Sequence, residues 1–185
     1  MGELKSAWEI AQGKADKLGK LSAEEERQQK EEECRQIGMA VAQKYLDHPE
    51  LQDITAMVNN YPEGKRDMIR KAVLSCLAEG IELKSLNLEK VIQGIAMLES
   101  RSQLILEQIT QLTQEYEQAE RKAREGLQSE VKETLHRLRI SGTAVGDINM
   151  EGPPFEQSRQ RLMDHFAPRL DTLRRELIRF FALPC

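Results

Sequence analysis

Apolar residues recur at intervals of three and four along most of the chain, the signature of helices that bury one face. Leu4, Trp8, Ala11, Ala15 and Leu18 predict a short amphipathic helix over 4–18, closed by Gly19. Ser22 and Glu25 then stand in capping-box register, where a hydroxyl and a carboxylate each take a backbone N–H that a helix start leaves unpaired. They predict a second helix running to about Leu46. Its first half, EEERQQKEEE, is polar all round. Its second half carries the stripe Cys34, Ile37, Val41 and Tyr45. His48-Pro49 ends it, because the residue before a proline is pushed out of the helical region. A short helix near 50–58 (Leu51, Ile54, Met57, Val58), a turn cluster from Asn59 to Gly64 and a buried helix over 66–79 follow. That last helix carries Met68, Ile69, Ala72, Val73, Cys76 and Leu77, with Gly80 at its C-terminal cap.

The longest pattern starts at Leu88. Leu88, Val91, Ile95, Leu98, Ser102, Ile105, Ile109, Leu112, Tyr116, Ala119, Ala123 and Gly126 keep a strict three-four alternation, a heptad seam. Beyond it Leu127, Val131 and Leu135 are spaced by four and Leu138 by three, a slip that relaxes supercoiling. The sequence predicts one helix from Asn87 to Arg139, roughly 80 Å long at ~1.5 Å per residue. In its first half Ile92 and Leu106 widen the stripe enough to meet more than one neighbour. A parallel homodimer would face Arg101 with Leu106, Gln108 with Thr113, Glu115 with Glu120 and Lys122 with Leu127. None of these pairs attracts, so charge does not favour a parallel zipper.

Gly142, Gly146, Gly152 and Pro153-Pro154 break the helix, with a short strand pair over 140–145 or a contact loop as candidate structures. A last amphipathic helix over 155–181 carries Phe155, Leu162, Phe166, Leu170, Leu173, Leu177 and Phe180 or Phe181. Pro168 either kinks it or starts a further helix. Residues 155–181 match 113–139 in length, which predicts an antiparallel hairpin between those two segments. The expected fold class is therefore all-α: an N-terminal helical bundle, a long coiled-coil-like helix, and a C-terminal helix packing antiparallel to it. The divisions are 1–86, 87–139, 140–154 and 155–185, with the compact body reaching to about residue 112.

Composition narrows the function classes. The 185 residues are 31% charged and 4% aromatic, with a net charge of −4. That balance argues against a nucleic-acid partner, which calls for a basic excess. So few aromatics argue against an aromatic-lined substrate cavity. Cys34, Cys76 and Cys185 form no CxxC and no even set, so reduced thiols in the cytoplasm are expected. The first ten residues lack the apolar run of a signal peptide, and no segment reaches the ~20 apolar residues of a membrane span.

Three stretches carry a resemblance: Glu3-Leu4-Lys5-Ser6-Ala7, Leu21-Ser22-Ala23-Glu24-Glu25, and Ile140-Ser141-Gly142-Thr143-Ala144-Val145. With them the chain resembles an uncharacterised family of small bacterial helical proteins. The resemblance implies a bacterial cytoplasmic setting and brings no activity or site residues.

Candidate chemistry is sparse. The Gly142–Gly146 stretch lacks the lysine and the preceding strand of a phosphate loop. His48, His136 and His165 are widely separated, and Cys34 and Cys76 lie on apolar stripes, where Cys acts as a small hydrophobe. No catalytic, metal-binding or cofactor-binding residues are assigned, and no cofactor is expected. The sharpest local feature is Arg174, Arg175, Arg179, Phe180 and Phe181, a candidate partner-contact group on the last helix. A membrane surface is its less favoured target, since six arginines against four acids over 155–179 make the helix only mildly basic. Capping of the core by Phe180 and Phe181 is the reading favoured over either target. The leading expectation is a non-enzymatic interaction or scaffold protein that binds another protein or itself. Behind it stand a chaperone-like or regulatory cofactor and an enzyme with a pocket around Tyr45, His48 and Tyr61.

Overall fold

A computed structural model of the chain describes residues 22–48, 53–140 and 152–182. The 4–18 helix, the 140–145 strand pair and the start of the 50–58 helix fall wholly or partly outside the described residues. The described residues form six α-helices: α1 (Ala23–Asp47), α2 (Ile54–Asn59), α3 (Glu63–Glu79), α4 (Leu88–Leu98), α5 (Gln103–Arg137) and α6 (Pro153–Ala182). The described residues contain no strand. The all-α class, the N-terminal bundle and the antiparallel C-terminal helix are as the sequence predicts.

α1 starts as its capping box requires. The Ser22 hydroxyl accepts from the Glu25 amide (3.2 Å), and the Glu25 carboxylate accepts from the Ser22 amide (2.7 Å). Cys34, Gly38, Val41, Ala42 and Tyr45 turn inward against α3. Gly38 sets the closeness of that packing: a Cβ there would lie 2.4 Å from the Ala72 Cβ and 3.0 Å from α3 backbone atoms. The Asp53 carboxylate starts α2 by accepting from the Thr55 and Ala56 amides (2.8 and 3.3 Å). α4 closes the bundle over α3 and α2. Its Gly94 faces the Tyr45 ring and Leu77, and the Tyr45 hydroxyl donates to the Lys90 carbonyl (3.2 Å).

The helix expected to run unbroken from 87 to 139 is two helices. Glu99 takes an extended conformation (φ −142°, ψ 84°), and a 3₁₀ turn, Ser100–Ser102, leads into α5. The break lets the stripe serve two sets of neighbours, α2 and α3 before it and α6 after it. It is well satisfied. The Glu99 amide donates to Ile95 O (2.8 Å), the Ser102 amide and hydroxyl donate to Glu99 O (3.1 and 2.6 Å), and Arg70 caps the Leu98 carbonyl.

α6 lies antiparallel to α5, but in another register from the length match. Phe155 faces Arg124, Phe166 faces Tyr116, Arg169 pairs with Glu115, and Phe180 faces Arg101. The last helix therefore covers α5 from about residue 124 back to its start and reaches Arg101 on the 3₁₀ turn, rather than running from 139 back to 113. Burial explains the shift. The inward side chains Leu106, Ile109, Leu112 and Tyr116 lie in the first half of α5, and Phe166, Leu170, Leu177 and Phe181 seat against that part of the core. Further along, α5 offers Arg121, Lys122, Arg124 and Glu125, and covering them would return little apolar burial.

α6 runs through Pro168 as one helix. α5 ends in a Schellman arrangement: Arg139 N–H donates to His136 O and Ile140 N–H to Leu135 O (both 3.0 Å). Arg139 adopts the left-handed conformation (φ 55°) that glycine takes more readily.

Candidate interaction surfaces

The five candidate contact residues do not form one patch. Phe181 is buried in the core. Phe180 is half-buried, edge-on to Phe181 (centroids 6.4 Å apart), and the Arg101 guanidinium lies 5.6 Å from its ring centre. Arg174 is half-buried and donates through Nη2 to the Glu79 carbonyl at the end of α3 (2.8 Å). Its Nε is buried with no hydrogen-bond partner among the described residues. Arg175 and Arg179 are exposed, and Arg175 pairs with Asp171 one turn back (2.9 Å). Three of the five thus fasten α6 to the body, and two face solvent.

Arg174 and Arg175 share a surface that the sequence does not single out. A cleft of ≈ 900 Å³ lies between the 81–84 connection and the middle of α6, residues 159–175. Leu83, Met163, Ala167, Pro168 and Leu170 give it apolar walls. Lys84, Arg159, Arg174 and Arg175 alternate around it with Glu82, Asp164 and Asp171. Lys84 is held by Glu120 and sits over the Tyr116 ring (5.9 Å), which ties the connection to α5. Two signals point this way in the sequence: the connection after Gly80 is short yet partly apolar, and Met163 and Ala167 are one turn apart on α6.

A second polar centre sits at the break between α4 and α5. The Glu99 carboxylate is nearly buried and takes two hydrogen bonds from Arg101 (2.9 and 3.2 Å) and a longer contact from Arg70 (3.4 Å). Hydrogen bonding from Arg101, reinforced by the charges of Arg101 and Arg70, holds this carboxyl below the usual glutamate range against the opposing pull of burial. The arrangement orients backbone at the break, with both carboxylate oxygens engaged.

Tyr45, His48 and Tyr61 are placed separately. Tyr45 is buried, its hydroxyl engaged by Lys90 O, and burial pushes its pKa up. His48 is exposed at the C-cap of α1, and Tyr61 is half-buried in the turn before α3. Burial likewise pushes the Cys76 thiol up. No group of three or more His, Cys, Asp or Glu side chains that could hold a metal ion occurs among the described residues. No helix among them is long and apolar enough to cross a membrane.

The fold is a helical bundle carrying an antiparallel α5–α6 hairpin. Comparison with protein-family models finds no match, and neither a curated protein nor a solved structure matches the chain.

Proposed function

We propose that this chain is a non-enzymatic interaction or scaffold protein, working in a bacterial cytoplasm, and that it receives a segment of another protein. The cleft along α6 carries the reading. Its apolar walls offer burial to a partner side chain, while charges of both signs around it offer pairs that fix register more than they add affinity. Arg175 lines it on its solvent side, with Arg179 one turn further along α6. Arg174 lines it while bound to the Glu79 carbonyl, and Phe180 and Phe181 seat the end of α6 on the body. The near-neutral mixture of charges in the cleft and the overall net charge of −4 suit a polypeptide better than a polyanion.

Affinity capture from the source cells, with wild type and Ala167→Arg side by side, tests this. Ala167 is exposed, so the arginine fills the cleft without entering the core. A protein retained by wild type and reduced about tenfold or more by Ala167→Arg is the expected result, a loss of ~1.4 kcal/mol or more. Equal retention by both proteins, or no retained protein, counts against the cleft as the binding surface.

A further inference from the structure

The projecting end of α5 presents a different surface. Phe155, in the first turn of α6, lies at Arg124, so the described helices leave most of α5 beyond it without a facing helix, with Leu127 and Leu135 half-buried. The apolar stripe nevertheless continues through Leu127, Val131, Leu135 and Leu138. Val131 is 38% exposed and Leu138 64%. At ~1.5 Å per residue this stripe is about 17 Å long. We infer that it is a self-association surface, on which the α5 ends of two copies of this chain pair antiparallel.

Charge pattern selects the second copy and the direction. Glu130 and Arg137 are two turns apart on the same flank of the stripe. In an antiparallel pair, equivalent flanks face each other. With Leu127 set against Leu138 of a second copy, Val131 falls by Thr134 and Leu135 of that copy. Glu130 then stands by Arg137 of the second copy, and the two-fold axis repeats the pair. A parallel pairing would set Glu130 against Leu135 of the second copy and gain no such ion pair. Arg137 is available for the exchange: its own-chain contact with Glu133 is 3.8 Å long, and both side chains are 71% exposed. Lys132 lies on the other flank near the axis, where two ammonium groups approach and limit the affinity.

Four apolar side chains a copy make an interface below the standard size, so the dimer is weak, with a dissociation constant on the order of 10–100 µM. Sedimentation equilibrium of the full chain from about 5 µM to about 1 mM spans that range. The expected result is a shift from monomer to dimer mass. Val131→Asp should stay monomeric throughout, with an unchanged circular dichroism spectrum because the site is on the surface. Glu130→Arg and Arg137→Glu should each weaken the dimer about fivefold, and the double swap should return it to within about twofold of wild type. Ala167→Arg, in the distant cleft, should dimerise like wild type, which separates failure of this surface from failure of the cleft.

A wild type that is monomeric at the highest concentration overturns the inference. So does a double swap no better than either single change. A monomeric wild type from which Val131→Asp removes a captured protein would assign the stripe to a different partner, and would also overturn self-pairing.

Discussion

Glu99 shows how one side chain redirects a chain that heptad spacing would keep straight. Its backbone is extended, and its carboxylate is paired with Arg101 on the 3₁₀ turn and reached by Arg70 from α3. The pairing holds its folded pKa below the unfolded value. A depressed carboxyl contributes stability that is present above the unfolded pKa and lost as pH falls through the folded one. Glu99→Gln should therefore lower stability at pH 7 by ~1–2 kcal/mol, in the range of hydrogen bonds to charged groups. The gap between the two proteins should hold down to about pH 5 and narrow below it, because the unfolded glutamate titrates near 4.3. Urea midpoints measured from neutral to acid pH check this; a gap that stayed constant to about pH 3 would contradict the assignment.

Between elements, α6 depends chiefly on α5. Phe166 is buried and meets Tyr116 edge-on, with ring centres 5.5 Å apart and planes at 79°. Phe166→Ala removes that contact and leaves a cavity, and it should cost about 3–5 kcal/mol in chemical unfolding. Amide exchange should speed up most along α6 and the facing part of α5, while α1 to α4 keep more of their protection. A uniform loss across all six helices would instead mean that bundle and hairpin unfold as one unit. The capping box, the inward faces of α1 and α3 and the antiparallel sense of α6 were legible because each follows from local spacing and cap chemistry. The break at Glu99 was not, since Arg70 lies 29 residues away and no local rule brings it there. Its one trace is Ser102, a polar residue on an otherwise apolar seam. The hairpin register failed for a related reason. Equal length says nothing about where burial is densest, and the buried residues of α5 lie in its first half. The contact group at 174–181 was legible as a cluster in sequence, but consecutive helix positions point in different directions, so it divides between core and solvent.

At the scale of the whole molecule, stability is concentrated toward one end. Core residues run from Cys34 to Phe181, whereas beyond Tyr116 no residue of α5 is fully buried. Measured at low concentration, amides of 103–116 should approach the protection of the bundle, and those of 126–137 should exchange several orders of magnitude faster, near the fraying limit. Equal protection along α5 would show that its far end is covered. Added salt should change the unfolding midpoint little, because most of the ion pairs, Arg169–Glu115 among them, are well exposed and worth under ~1 kcal/mol each.

The bond from Arg174 to the Glu79 carbonyl joins positions 95 apart in the chain. Loop closure over that span adds little to the equilibrium entropy, since the penalty grows only with the logarithm of length. During synthesis it matters more. At about 5–20 residues per second, roughly 5–20 s separate the making of α3 from the making of the helix turn that covers its end. Through that interval the end of α3 and Ile81 lack the helix that borders them in the finished fold, and the chain is most open to misassociation before its last helix docks.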